Sequence, residues 1–142
     1  MKKILLFSSI VVVVIFGAIL FFKKSANEPI ILPNSDLIKV DSPSLNQVIQ
    51  SPFTITGQAR GTWFFEASFP VKLVDLSGNV IVQTFANAKG EWMTENFVPF
   101  ESILNFDIAT TTQPAILILQ KDNPSGLPEN DAQIEIPVIL KQ

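Results

Sequence analysis

The chain has 142 residues, room for a single domain, with 47% apolar residues, a formal net charge of −3, and neither cysteine nor histidine. That inventory excludes a disulfide framework, thiolate and imidazole metal sites, and any nucleophile system built on Ser–His or Cys–His.

The stretch Ile4 to Phe22, ILLFSSIVVVVIFGAILFF, carries no charge. As a helix rising about 1.5 Å per residue it is roughly 28 Å long, the thickness of a bilayer core. Its β-branched run Ile10 to Ile15 suits a strand in water, but in lipid the backbone must pair within its own segment, so a helix is the consistent reading. Lys2 and Lys3 precede it and Lys23 and Lys24 follow it, placed to reach the headgroups at both ends. A cleaved signal peptide is the rival. Its apolar core is usually shorter, and no small-x-small pattern follows Phe22 here, so an uncleaved anchor is expected over 1–24. The flanking charges nearly balance. The short N-terminal tail places the N-terminus in the cytoplasm and the rest of the chain outside it, in a single pass of a cell membrane.

Beyond Lys24 lie all thirteen acidic residues and six basic ones, a net of −7. Such a segment is a poor ligand for anionic lipid or nucleic acid, since phosphate contact needs clustered Lys and Arg. Residues 25–36, with Pro29 and Pro33, form a linker that favours extended backbone. From Leu37 the apolar period becomes two. Ile38 and Val40 alternate with polar neighbours, as do Phe53, Ile55, Gly57 and Ala59, and again Ile134, Ile136, Val138 and Leu140; each set predicts a half-buried strand. Pro70–Leu76 and Val80–Phe85 flank Ser77-Gly78-Asn79 as a hairpin. A turn at Asn87-Ala88-Lys89-Gly90 leads into a strand over Glu91–Val98, with a further strand within Ile103–Ile108. Ala115–Gln120 reads as a central strand covered on both sides, and Thr110-Thr111-Thr112 as an exposed loop. Residues 37–142 are therefore expected to form an all-β domain, an immunoglobulin-like β-sandwich of seven or eight strands.

Several segments in order carry a resemblance: Ile38-Lys39-Val40-Asp41-Ser42-Pro43 with Ser51 to Ala59, Thr62-Trp63-Phe64-Phe65-Glu66 to Val71, Gly90-Glu91-Trp92-Met93, and Lys121 to Gly126 with Ile136-Pro137-Val138. Together they resemble the bacterial spore-germination immunoglobulin-like domain, the second GerM-associated domain family, over Leu37 to Leu140. The resemblance implies an immunoglobulin-like sandwich on the outer side of a cell membrane, here alone behind an anchor. It implies no catalytic residues and no cofactor.

Trp63, Phe64, Phe65, Glu66 and Trp92 form the candidate binding surface. Successive residues of a strand point to opposite faces, so at least one ring of Trp63-Phe64-Phe65 should lie at the surface, where it offers a platform for a sugar or an anchor for a protein; ordinary core packing is the alternative. Glu66 with Arg60 forms either a local ion pair or part of a structural turn. Asp122, Asn123, Glu129 and Asp131 place oxygen donors in a long loop that could converge on calcium, although a solvated turn uses the same residue types. Glu66, Glu91, Glu95 and Glu101 could supply the carboxylate pair of a glycan-acting enzyme, a distant third reading. The expected function is a non-catalytic, membrane-anchored binding or spacer module of the cell envelope, contacting another envelope protein or a cell-wall polymer. The alternative is a structural subunit of a larger membrane complex, recruited through its transmembrane helix.

Overall fold

A computed structural model describes residues 35–142. The expected anchor, and all but the last two residues of the expected linker, lie outside the described residues. Among the described residues, no helix is long and apolar enough to cross a membrane.

Eight strands follow one another: β1 (Ile38–Ser42), β2 (Gln47–Gln50), β3 (Phe53–Arg60), β4 (Ser68–Asp75), β5 (Val80–Ala88), β6 (Phe97–Leu104), β7 (Thr112–Gln120) and β8 (Gln133–Lys141). Their hydrogen-bonded order is β1-β3-β6-β5-β4-β7-β8-β2. β5 pairs with β4 along most of its length but meets β6 only at Asn87↔Glu101 and Ala88↔Phe100. The sheet therefore divides there into a β1-β3-β6 layer and a β5-β4-β7-β8-β2 layer. Consecutive strands β1 and β2 lie at opposite ends of this order, so Pro43–Asn46 carries the chain from one layer to the other, where β2 runs parallel to β8.

Alternation makes one core between the layers. Ile55 and Ala59 of β3 and Phe100 and Leu104 of β6 face Val71 and Leu73 of β4, Leu117 and Leu119 of β7, and Ile136 and Leu140 of β8. The rings of Phe69 on β4 and Phe100 on β6 meet edge-on across the gap, their centroids 5.0 Å apart. All of the buried cluster falls between Ile38 and Leu140, so residues 35–142 hold a self-contained core and fold as a unit.

Four prolines lie inside strands, each just outside one of its strand's two ladders. Pro70 immediately precedes Val71, where pairing with β7 begins. Pro114 precedes Ala115, the first residue of β7 paired with β4. Pro137 precedes Val138, where β2 joins β8, and Pro99 precedes Phe100, where β5 joins β6. A ring without an N–H is tolerated only at such a seam.

The β4–β5 hairpin is closed by Asp75. Its carboxylate accepts from the backbone N–H of Ser77 (2.8 Å) and Asn79 (2.9 Å) and from the Asn79 side-chain amide (2.9 Å), while Gly78 takes the positive φ of the turn. The Asn79 side chain foremost, then its backbone N–H, holds the Asp75 carboxyl below its ordinary value of 3.8. A depressed folded pKa stabilises the hairpin above the unfolded value, and this contribution is lost as pH falls through the folded one. Protection of the Ser77 and Asn79 amides against exchange, taken relative to the intrinsic rate at each pH, should therefore fall as the pH drops below about 4, the ordinary carboxylate range, and Asp75→Asn should abolish that acid response.

Several sequence expectations need correction. Glu91–Asn96 is irregular, because its backbone N–H groups are taken locally: Met93 donates to Glu91 Oε1, Thr94 to the Trp92 carbonyl and Asn96 to Thr94 Oγ1. The strand begins at Phe97 and absorbs Ile103 and Leu104, and the Phe106 N–H then donates to Ser51 Oγ instead of to a ladder. Asn87 and Ala88 belong to β5, so the break starts at Lys89. Thr112 opens β7, which alternates between buried and half-buried residues because only one of its faces meets the core. β2, a short strand with just one buried residue, Ile49, carries no periodic signal.

Candidate functional site

The end of the sandwich where β1 starts gathers three connections: Gly61–Ala67 between β3 and β4, Lys89–Asn96 between β5 and β6, and Lys121–Ala132 between β7 and β8. Backbone bonds tie them together. Gly61 donates to the Asn96 carbonyl (3.1 Å), Asp122 to the Trp63 carbonyl (3.0 Å) and Ala88 to the Ala67 carbonyl (2.8 Å). The chain also enters the domain here, with the Leu37 carbonyl accepting from the Arg60 N–H at 2.8 Å.

Gly61–Trp63 is a 3₁₀ turn rather than strand, so the face alternation expected across Trp63-Phe64-Phe65 does not apply. Trp63 and Phe64 both turn inward, leaving 2% and 4% of their surface exposed. They pack on Phe69 at centroid distances of 6.3 and 5.3 Å as part of the core. Trp63 Nε1 is buried without a hydrogen-bond partner. Phe65, 42% exposed, is the ring that reaches solvent.

Glu66 and Ala67 occupy the two central positions of a tight turn in which Phe65 and Ser68 exchange backbone bonds of 3.0 and 3.1 Å. Both have positive φ, +50° and +62°, as a two-residue hairpin turn of the I′ kind requires. Glu66 therefore serves a structural turn and not an ion pair with Arg60. The Arg60 guanidinium donates from Nε to the Asp36 carbonyl (3.1 Å) and from Nη1 to the Glu95 carbonyl (3.3 Å), and lies 4.0 Å from the centre of the Phe97 ring. Left-handed backbone costs a non-glycine residue about 1–2 kcal/mol. Ala67→Gly should thus raise stability by roughly 0.5–1 kcal/mol, read as a higher urea midpoint, even after the added freedom of glycine in the unfolded chain.

Two shallow hollows flank Phe64. One, of about 400 Å³, is bounded by Thr62, Phe64 and Phe65 on one side and Lys121–Ser125 with Asn130 on the other. Its neighbour, of about 220 Å³, runs from Gly61, Thr62 and Phe64 to Trp92, Met93 and Thr94. Trp92 is half-buried against the core, while Met93, 73% exposed, stands over this second hollow. Met93 and the exposed Leu127 were missed from the sequence; the available signal was an aliphatic side chain at the tip of an otherwise polar loop.

The β7–β8 loop is braced by its own side chains. Asn123 Nδ2 donates to the Leu127 carbonyl (2.8 Å) and to Asp131 Oδ1 (2.7 Å), and Ser125 Oγ donates to Asn123 Oδ1 (2.5 Å). Of the four residues considered for calcium, Asn123 and Asp131 are thus joined as donor and acceptor. Among the described residues, no three carboxylates gather into a group that could hold a metal ion. Glu66, Glu91 and Glu95 are exposed, Glu91 Oε1 accepts from the Met93 N–H, and Glu101 pairs with Lys89 at 3.3 Å.

The family model described as the immunoglobulin-like domain of bacterial spore germination matches residues 37–126, from the residue before β1 into the β7–β8 loop. No curated protein matches the chain. The eight-stranded all-β fold agrees with the family's description, and over most of its length the chain belongs to the family of immunoglobulin-like domains of bacterial spore germination.

Proposed function

We propose that the protein is a non-catalytic binding module of the bacterial cell envelope, held at the membrane by residues 1–24 with its domain outside the cytoplasm. The observation that carries this reading is the loop end, where three connections bring the exposed Phe65 and Met93 and the half-buried Trp92 around two open hollows. Exposed apolar side chains beside concave surface are what partner-binding patches use. The non-catalytic part is supported by the absence of histidine and cysteine and by the exposure of Glu66, Glu91 and Glu95, which lack the burial that prepares a general acid. Membrane anchorage is supported by the uncharged segment from Ile4 to Phe22. Residues 25–34 could hold the loop end at most about 35 Å from such an anchor, because the chain enters at that end.

A pull-down with residues 35–142 against solubilised envelope proteins and insoluble peptidoglycan tests the reading. Retention is expected in wild type and is expected to fall severalfold in folded Phe65→Ala and Met93→Ala variants. Wild-type protein that folds yet is retained by neither fraction overturns the binding role and favours a subunit recruited through its transmembrane segment. Resistance of the full chain to carbonate extraction from membranes reads the anchor separately.

A further inference from the structure

We infer that the two hollows form one docking groove for a protein, and that its occupant is an extended segment with apolar side chains interleaved with lysine or arginine. This rests on the binding-module reading and specifies the chemistry of the partner. The hollows share Thr62 and Phe64, so they are halves of one surface, with Phe64 between them and Phe65 and Met93 on the outer sides. Two adjoining hollows divided by a side chain are the kind of surface that takes successive side chains of an extended peptide.

The charge around the groove sets the sign of the partner. Glu66, Glu91, Glu95, Asp122, Glu129 and Asp131 lie on these loops against four cations at this end of the sandwich, Lys39, Arg60, Lys89 and Lys121. Each cation is engaged within the domain: Lys39 Nζ 4.5 Å from the centre of the Phe97 ring, Arg60 on the Asp36 and Glu95 carbonyls, Lys89 on Glu101, and Lys121 Nζ on the Asn130 carbonyl at 3.1 Å. None of the six carboxylates is matched by a salt bridge among the described residues. The unbalanced field is negative, so it attracts a cationic segment and repels anionic lipid and phosphate-bearing polymer. A neutral glycan fits less well, because two of the polar side chains lining the groove, Asn123 and Ser125, are bonded to their own loop.

The test titrates isotope-labelled 35–142 with a capped hexapeptide of alternating lysine and leucine. The matching glutamate–leucine peptide, vesicles of anionic phospholipid, and dilution of the domain alone serve as comparison arms. Saturable shifts are expected at Thr62, Phe65, Met93 and Asn123 with the lysine peptide only. Affinity should fall at least tenfold in Phe65→Ser/Met93→Ser and severalfold in Glu66→Gln/Asp122→Asn, each checked for an unchanged fold, and stay constant in Leu76→Ser, whose position is the β4–β5 turn. Equal binding of the glutamate peptide, or shifts spread along the sheet, overturns the groove. Shifts of the same amides on dilution assign the surface to a second copy, and shifts with vesicles assign it to lipid; both overturn it too. Failure here alongside a successful envelope pull-down removes only the groove, whereas a peptide-binding domain on a chain that carbonate strips from membranes removes only the anchor.

Discussion

Phe69→Ala is expected to destabilise the domain by about 3–5 kcal/mol, most of what a protein of this size has to lose. Phe69 is fully buried on β4 and, among the described residues, is the one ring in contact with Trp63, Phe64 and Phe100. Its removal therefore empties the junction between the two layers and undercuts the residues that position the loop end. The neighbours belong to the β3–β4 connection and to β6, both held by backbone bonds, so the cavity cannot close by a simple collapse. Urea unfolding followed by the fluorescence of Trp63 and Trp92 reads the loss. Leu76→Ala, an exposed position of the β4–β5 turn, should stay within about 0.5 kcal/mol of wild type. A Phe69→Ala variant as stable as that control would show that the aromatic junction does not hold the layers together.

Gly61→Ala is the second large effect, and it arises from the opposite fault. A Cβ at this position would sit 1.9 Å from the Thr94 carbonyl oxygen and 2.2 Å from the Trp92 carbonyl oxygen. Both are backbone atoms, so no rotamer change relieves the clash, and the 91–96 segment must move. A loss of about 3 kcal/mol is expected, at the upper end of ordinary overpacking. The change should also weaken partner binding in the fraction that remains folded, because the displaced segment carries Trp92 and Met93 and bounds one hollow. A Gly61→Ala domain with native stability and unshifted Trp92 and Met93 amides would contradict the close approach described above.

Much of the fold was legible because burial of one strand face imposes a period of two. β3 and β8 place Ile55, Ala59, Ile134, Ile136, Val138 and Leu140 inward as the alternation predicts, and Ser77-Gly78-Asn79 lies within the connection between β4 and β5. The misreadings fall where local bonds replace ladders. In Glu91–Asn96, side-chain oxygens and a nearby carbonyl capture the backbone N–H groups, and in Gly61–Trp63 the chain tightens into a 3₁₀ turn. Neither event leaves a periodic trace. The same limit applied to the binding surface: Trp63 and Phe64 draw attention as aromatic residues but serve the core, whereas Phe65, Met93 and Leu127 are exposed through a backbone path that the sequence does not spell out.

The four seam prolines bear on which sheets this chain can build at all. A strand that slips by one residue turns its apolar face to water and is rejected on that ground. A slip by two keeps every apolar residue inward, so alternation cannot prevent it. In the direction that would lengthen a ladder, such a slip draws Pro70, Pro99, Pro114 or Pro137 into it. The carbonyls of Pro99 and Pro137 already point towards the neighbouring chain, accepting from Lys89 at 2.8 Å and Asn46 at 2.7 Å. Their rings therefore stand where the lengthened ladder would need a donor, and the opposite carbonyl is left unpaired at roughly 1–3 kcal/mol. Each of these two rings acts as a ratchet stop, silent in the native pairing and felt only by the misaligned one.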